Sequence, residues 1–282
     1  MDRRTDEKIL ESLSCPCCSE KMGLSEDGRS LVCLAPRRHC FDFSSAGYVN
    51  LAPSHRGGGD SKEAVRSRTE FLDSGAYETV SDAVNSVISG YVPKGGLVID
   101  AGCGEGYYSC RAAHTGVRVM GFDLSKDAVA QAAKRTKRDG LDNAFFGVGS
   151  VFSLPVSDSS ADAVINIFAP CAEEEYCRVL KHGGILAVAY AGREHLMGLK
   201  RRLYDSVYEN EARSDMPEEM ELIEERRVLY DIELSSEEQI KNLFAMTPYY
   251  WRTSAGDKNK LEGLNSLRTE VDIIIAVYRK NG

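Results

Sequence analysis

Cysteine spacing near the N-terminus gives the clearest sign of chemistry in this chain. Five of the nine cysteines fall within one stretch of 26 residues, and Cys15 and Cys18 form a C-x-x-C pair. Fourteen residues separate Cys18 from Cys33, and His39 and Cys40 follow. Zinc takes four nitrogen or sulfur donors in a tetrahedron, and a C-x-x-C turn supplies two of them. We therefore predict zinc ligands at Cys15, Cys18, Cys33 and His39, with Cys40 as the alternative to His39.

The predicted metal site is structural, because four protein ligands leave no open position for a substrate. Little apolar periodicity accompanies the cysteines, so we expect the metal to take the place of a core in this module. Cys17 would then be a spare thiol. A redox pair and chance clustering of cysteines are the other interpretations of the pattern.

A glycine-rich turn is the second segment that could bind a ligand. The sequence VIDAGCGEGYY places glycines at 102, 104 and 106 directly after a short apolar run that ends at Asp100. Glycine permits positive φ and lets the backbone approach a ligand closely. Asp123 follows nineteen residues after Gly104, where a carboxylate at a strand end would bind a ribose hydroxyl. The carboxylate of Asp100 suits a cationic ligand and would repel a pyrophosphate. A dinucleotide site and an ordinary strand–turn–helix are the alternatives.

Strands and helices alternate from Gly95 onward, which indicates a parallel sheet with helices on both faces. Strands are predicted at Leu97–Asp100, Val117–Phe122, Ala144–Val148, Ala163–Phe168 and Ile185–Tyr190, and helices after Gly106, at Lys126–Lys137 and at Ala172–Leu180. We expect three parts: a zinc-binding module over 1–45, a linker and helical segment over 46–94, and a sheet domain over 95–282 with a helical insertion at about 193–240.

Two further regions carry local signals. Gly57–Gly59 indicates a flexible linker, and Asp60 with Glu63 fits a capping box for a helix that runs to about Asp73 and is closed by Gly75. Late in the chain, Tyr249–Trp251 and Val271–Tyr278 are predicted to add an antiparallel pair at the edge of the sheet.

Composition limits the class of protein. The chain has 282 residues, of which 43% are hydrophobic and 28% charged, which is typical of a globular protein. No apolar run reaches the roughly 18 residues of a spanning helix, and no secretory signal begins the chain, so we expect no membrane contact and a cytoplasmic location. The net charge is −8, but residues 209–238 contain twelve acidic and three basic residues. The rest is therefore near neutral and includes basic clusters such as Arg37–Arg38, so nucleic acid is not excluded.

The glycine turn resembles the first motif of the class I, Rossmann-like methyltransferases, and the resemblance extends from residue 95 to about 190. It implies S-adenosylmethionine as the cofactor, with Gly102, Gly104 and Glu105 at its methionine end and Asp100 as a further cofactor-binding residue. It also implies that Asp123 holds the ribose and that Ser150 and Val151 flank the adenine. The segment Asn166–Pro170 follows the fourth strand, where amino-methylating members often carry N-P-P-[YF], but this chain lacks the first proline.

Both segments together resemble one group, the bacterial 23S rRNA (guanine-N1)-methyltransferases. The resemblance rests on SCPCC, LVC, HCFDFSSAGYVNL, RTEFLDSGAYETV, DAGCGEGYY, NIFAPC, GREHLMGLK and MTPYYWR. It implies methylation of a guanine N1 in a 23S rRNA hairpin, cofactor contacts from Tyr77 and His195, and a homodimer. A methyltransferase for a small molecule or another RNA, and a non-catalytic RNA-binding or cofactor-sensing protein, are the alternatives.

The target guanine must present its Watson–Crick edge, so it has to be unpaired or flipped, and an aromatic ring could stack on it. Phe168 is the candidate for this stacking, with Tyr107 second. The sequence identifies no general base and does not show which guanine is modified. Arg37 and Arg38, beside the predicted zinc site, are expected to face RNA phosphates.

Overall fold

The computed structural model describes residues 6–52, 59–207 and 218–281. Gly57 and Gly58 of the expected linker and about a third of the acidic segment lie outside these residues. Within the described ranges, no helix combines the length and the apolar character needed to cross a membrane.

The N-terminal residues form a short helix and a three-stranded antiparallel sheet with its second strand in the middle. The elements are α1 (Glu7–Ser12), β1 (Met22–Leu24), β2 (Ser30–Cys33) and β3 (Cys40–Asp42). Ile9, Leu13 and Leu31 are fully buried and belong to the same apolar cluster as Leu97 and Ile99 of the main sheet. The expectation that this module lacks a core is therefore wrong, because the module packs its apolar side chains onto the neighbouring sheet.

An eight-stranded sheet forms the centre of the molecule. Its strands are β4 (Val49–Asn50), β5 (Leu97–Ala101), β6 (Arg118–Asp123), β7 (Ala144–Val148), β8 (Ala161–Ile167), β9 (Leu180–Ala191), β10 (Met220–Leu234) and β11 (Leu267–Lys280). Their order is β10-β11-β9-β8-β5-β6-β7-β4. The pairs from β4 to β9 are parallel, whereas β11 and β10 are antiparallel additions. The chain leaves β5 towards β6 on one side and later returns to β8 on the other, and such a switch point opens a crevice at the carboxyl ends of the strands.

Helices cover both faces of this sheet. They are α2 (Lys62–Asp73), α3 (Glu78–Tyr91), α4 (Tyr107–Ala113), α5 (Lys126–Arg138), α6 (Glu173–Val179), α7 (Met197–Leu203), α8 (Glu237–Ala245), α9 (Tyr249–Arg252) and α10 (Ala255–Lys258), with a 3₁₀ turn at Asn259–Leu261. Successive residues of a strand point to opposite faces. Val98 accordingly packs in one apolar cluster and Ile99 in the other. The predicted α/β architecture with a Rossmann-like sheet is confirmed.

Three local predictions are wrong. Helix α2 is capped by Ser61, whose Oγ accepts a hydrogen bond from the Ala64 N–H, while Asp60 forms an ion pair with Arg68 instead. The prediction of a helical insertion over 193–240 is wrong for Met220–Leu234. This segment is a strand, because its backbone pairs with β11 along its whole length. Tyr249–Trp251 is not a strand but part of the one-turn helix α9, and β10 takes its expected place beside β11.

Candidate active site and metal site

The four predicted zinc ligands lie together at one end of the small sheet. Their donor atoms are all within 4.8 Å of one another. The Sγ of Cys18 is 3.4 Å from the Sγ of Cys33 and 3.6 Å from His39 Nδ1, and Cys15 Sγ is 3.5 Å from the same nitrogen. Three sulfur donors and one imidazole nitrogen at these separations match the tetrahedral set that structural zinc prefers.

The geometry also decides between the two candidates for the fourth ligand. Cys40 is exposed and its Sγ faces Asp42 at 3.9 Å, outside the cluster, whereas His39 belongs to it. Cys17 is likewise exposed and separate, as expected of a spare thiol. A hydrogen bond from the Ala35 N–H to Cys33 holds the pKa of that thiol below its ordinary value, which favours the thiolate that binds metal.

A cavity of about 680 Å³ opens at the carboxyl ends of β5, β6 and β8. The predicted site residues that line it are Tyr77, Gly102, Gly104, Glu105, Asp123, Val151, Phe168 and His195. The turn between β5 and α4 forms one wall. Gly102 has a φ of +87°, and a Cβ there would lie 2.4 Å from the Cβ of Ala169. The turn therefore requires glycine both for its backbone conformation and for the space beside Ala169.

Asp123 stands at the end of β6 and lines this cavity. Its Oδ2 accepts a hydrogen bond from the Gly104 N–H at 3.1 Å, and its Oδ1 accepts one from the Ser125 N–H at 2.8 Å. The carboxylate thus ties the glycine turn to the next strand while facing the cavity. Burial raises the pKa of Asp123, against the effect of these two bonds. Its position fits the predicted role of binding ribose hydroxyls.

Two predicted cofactor residues do not reach the cavity wall. Asp100 is 2% exposed and points under the turn, where its Oδ2 accepts a 2.5 Å hydrogen bond from Ser109 Oγ in α4. Burial raises the pKa of Asp100 to about 7. Ser150 turns its Oγ towards the Phe152 N–H, whereas Val151, predicted beside it at the adenine, lines the cavity together with Phe152. A contact of either residue with the cofactor stays a prediction.

Glu105 lines the cavity but is also held by a buried cation. Arg135 of α5 donates to Glu105 Oε2 at 2.6 Å and to Asp73 at 2.6 Å, and Glu105 and Arg135 are 2% and 4% exposed. Burial raises the pKa of Glu105, and Arg135 acts in the opposite direction. The pair fixes the turn against α5, so Glu105 has a structural as well as a predicted binding role.

Tyr77 and His195 come from distant parts of the sequence and meet in the cavity wall. The Oη of Tyr77 is 3.4 Å from His195 Nε2, and His195 Nδ1 accepts a hydrogen bond from the Asp272 N–H at 3.3 Å. A neutral imidazole with its proton on Nε2 satisfies both contacts. Burial lowers the pKa of His195 to about 4, so the ring is uncharged at neutral pH.

Phe168 follows β8 and is 46% exposed at the cavity. Its ring lies 6.1 Å from that of His195 at an interplanar angle of 17°, and 6.5 Å from that of Tyr77. Its φ of +55° is uncommon for an aromatic residue and sets the direction of the ring. Tyr107, the second candidate for stacking, is 6% exposed and does not line the cavity, because it packs inside the fold beside Arg111 and Arg135.

Several lining residues were not among the predicted set. The ion pair of Asp60 and Arg68 lines the cavity, as do the exposed Phe152 and, from the MTPYYWR segment, Tyr249. Trp251, two residues further, is 71% exposed. Arg66 and Arg68 stand close together in the sequence, but the sequence does not show towards which part of the fold their side chains point.

The buried polar groups Asn166 Oδ1 and Tyr108 Oη also belong to cavity-lining residues, and within the described ranges neither atom has a hydrogen-bond partner. Such groups are rare in folded proteins, and here both belong to residues in the wall of the cavity.

Comparison with known proteins agrees with both sites. Residues 93–247 match the family described as methyltransferase domain, and residues 13–57 match a zinc-ribbon family described as RlmA, N-terminal. The YcgJ protein of Bacillus subtilis has a similar fold, with a TM-score of 0.50 at 18% identity over 71% of this chain and 99% of that one. The fold, the glycine turn and the cavity therefore define a class I S-adenosylmethionine-dependent methyltransferase.

Comparison with named relatives shows to which group of methyltransferases the chain belongs. A 23S rRNA (guanine(748)-N(1))-methyltransferase of Streptomyces fradiae is 31% identical over 198 residues, which cover 68% of this chain and 67% of that protein. The YxjB protein of Bacillus subtilis (strain 168), provisionally named as a 23S rRNA (guanine-N(1)-)-methyltransferase, is 29% identical over 94% of this chain and 96% of its own. The chain belongs to the 23S rRNA (guanine-N1)-methyltransferase family.

Proposed function

We propose that this enzyme transfers the methyl group of S-adenosylmethionine to N1 of a guanine in a hairpin loop of 23S rRNA. One observation supports this most directly: a zinc ribbon and a methyltransferase sheet with an open cavity occur in one chain, in the order of the rRNA methyltransferase family. A small-molecule methyltransferase would have little use for the ribbon.

S-adenosylmethionine supplies an electrophilic methyl group, so the residues of the cavity have to align a nucleophile with the S–CH3 bond. In our proposal Gly102 and Gly104 provide a close backbone approach, and the carboxylate of Asp123 binds the ribose. His195 forms part of the wall as a neutral ring, because burial keeps its pKa near 4. A protonated imidazole at this place would repel the sulfonium.

Phe168 is proposed to stack on the flipped guanine. The ring is exposed at the cavity and already lies nearly parallel to the imidazole of His195. Extrusion of a base costs a few kcal/mol, and stacking on an aromatic side chain recovers about 1–3 kcal/mol. Guanine N1 must also lose its proton before it can act as a nucleophile. We assign no residue to that step.

The ribbon is proposed to position the RNA. Arg37 and Arg38 are exposed in the loop between Cys33 and His39, so the metal fixes the ends of the segment that carries them. Contacts of arginine with phosphates orient a nucleic acid without reading its sequence. A homodimer, a cytoplasmic location and the division into 1–45, 46–94 and 95–282 stay predictions that accompany this function.

The test is primer extension combined with nucleoside mass spectrometry on 23S rRNA from cells with and without the protein. We expect one N1-methylguanosine to disappear in the deletion strain and to return when the gene is supplied again. An unchanged set of modifications would refute the RNA assignment and would leave a methyltransferase with another acceptor.

A further inference from the structure

Asn166 is the last but one residue of β8 and is 1% exposed. Its Nδ2 donates to the carbonyl oxygen of Pro170 at 2.9 Å and to Tyr176 Oη at 2.9 Å, and lies 3.5 Å from the Ala101 carbonyl oxygen. Two of these three partners are carbonyl oxygens, which only accept. The amide is therefore held with its nitrogen towards the protein and cannot rotate by 180° without facing oxygen with oxygen.

The other end of the same amide is unsatisfied. Asn166 Oδ1 is buried and has no hydrogen-bond partner among the described residues, although Asn166 lines the cavity. A buried acceptor without a partner costs about 1–3 kcal/mol. The fixed orientation thus presents one neutral acceptor, and a ligand with a neutral N–H donor would satisfy it.

We propose that Asn166 Oδ1 accepts a hydrogen bond from the 2-amino group of the target guanine, an inference that rests on the proposed function. Asn166 precedes Phe168, the proposed stacking residue, by two positions, and both residues line the same cavity. The ammonium group of the cofactor is the competing donor, but the carboxylate of Glu105, proposed at the methionine end of the cofactor, is a better partner for a cation.

The contact would set both specificity and alignment. In guanine the 2-amino group and N1 are bonded to the same carbon, so a hydrogen bond to the amino group places N1 next to it in the cavity. Adenine and hypoxanthine carry no 2-amino group. Asn166 would therefore be a binding residue that selects guanine and orients its N1 towards the methyl group.

The experiment uses two synthetic 23S rRNA hairpins that differ only at the mapped target nucleotide, which is guanosine in one and inosine in the other. Inosine keeps N1–H and O6 and lacks only the 2-amino group. We expect the full-length wild type to have a kcat/KM about 10-fold to 100-fold lower on the inosine hairpin, from the loss of one buried hydrogen bond. In Asn166→Ala this ratio should fall to about 3-fold or less. Equal kcat/KM values of the wild type on both hairpins would overturn the inference, whether or not any variant folds.

Three controls accompany this comparison of hairpins. Tyr176→Phe removes a partner of Nδ2 and leaves Oδ1 in place, so it should lower activity on both hairpins equally and keep the ratio. Asn166→Leu keeps a side chain of similar size but has no acceptor, so it should lose the preference for guanosine as Asn166→Ala does. Calorimetry with S-adenosylmethionine alone should give similar affinities for wild type and Asn166→Ala, whereas a large loss together with an unchanged ratio would assign the acceptor to the cofactor. Failure of the wild type to modify the guanosine hairpin would refute the proposed function itself.

Discussion

The zinc ribbon and the glycine turn of the sheet both hold an irregular loop in one conformation, but by different means. In the ribbon, four side chains point their metal-binding atoms at one place. Three of the distances between these sulfur and nitrogen atoms are only 3.4–3.6 Å. Without a cation between them, thiolates at such distances would repel one another. In the turn, buried strands lie on both sides, positive-φ glycines shape the backbone, and Asp123 accepts two main-chain hydrogen bonds.

This difference has a practical meaning. We expect the loops that carry the four ligands to depend on a bound ion for their conformation, whereas the turn has its shape from its own residues. The two regions nevertheless share one apolar cluster, since Leu13 and Leu31 of the ribbon pack with Ile99 of the sheet. Substitutions can therefore test whether each region is ordered by the means described, and how much one depends on the other.

The largest effect is expected for Cys33→Ser. The substitution removes a thiolate ligand, and structural zinc in small modules contributes on the order of 10 kcal/mol, so the ribbon should lose both metal and order. Metal analysis should find well below one zinc per chain, while calorimetry should still detect binding of S-adenosylmethionine to the sheet. Cys17→Ser, at an exposed thiol outside the cluster, is the matched control and should retain zinc. An equal loss of cofactor binding in Cys33→Ser would instead show that the glycine turn depends on the ribbon through their shared apolar cluster.

A smaller effect is expected for Phe168→Ala. Loss of a stacking ring should reduce kcat/KM for the RNA by about 10-fold to 100-fold, with the affinity for S-adenosylmethionine unchanged. Phe168→Tyr keeps the ring and should keep most of the activity. Methyl transfer to a synthetic hairpin, measured with labelled cofactor, gives the rate. Unchanged turnover in the alanine variant would exclude the proposed stacking.

The smallest effect is expected for the double substitution Arg37→Ala and Arg38→Ala. Fewer cations should contact phosphates, so binding of the hairpin should weaken and its logarithmic dependence on salt should become less steep by about 0.7 for each lost contact to single-stranded RNA. Arg29→Ala is a suitable control in the same ribbon. Arg29 is exposed, and its Nε lies 3.9 Å from Asp27 Oδ2, so a neighbouring carboxylate already offsets its charge. An identical salt dependence in the double variant would show that Arg37 and Arg38 do not contact RNA phosphates.

The sequence predicted the parts of the fold in which one pattern determines the structure. Each parallel strand from β5 to β9 was an apolar run between turn signals, and the cysteine spacing defined the zinc site apart from the choice between His39 and Cys40. The strand β10 was missed because its many charged residues suggest an exposed helix. Its backbone hydrogen bonds to β11 decide the outcome. Most of β11 was predicted, at Val271–Tyr278, but local periodicity does not show which distant segment pairs with it.

The site was predicted less completely than the fold. Spacing indicated that Asp123 would end a strand, but it did not show that Asp100 would turn under the loop to Ser109. Nor did it indicate that Asn166 would satisfy its amide nitrogen and leave its oxygen without a partner among the described residues. Whether a buried polar atom is hydrogen-bonded depends on residues such as Pro170 and Tyr176 that the fold brings around it, so it has no signature in the sequence.

Trp251 gives the molecule an optical property that follows from its position. It is the one tryptophan of the chain, it is 71% exposed, and it follows the cavity-lining Tyr249 by two residues. Its emission is therefore a single-site signal from the neighbourhood of the cavity, free of contributions from other indoles. A nucleobase stacked on this ring would quench it, so titration of the unlabelled enzyme with RNA tests whether RNA reaches Trp251.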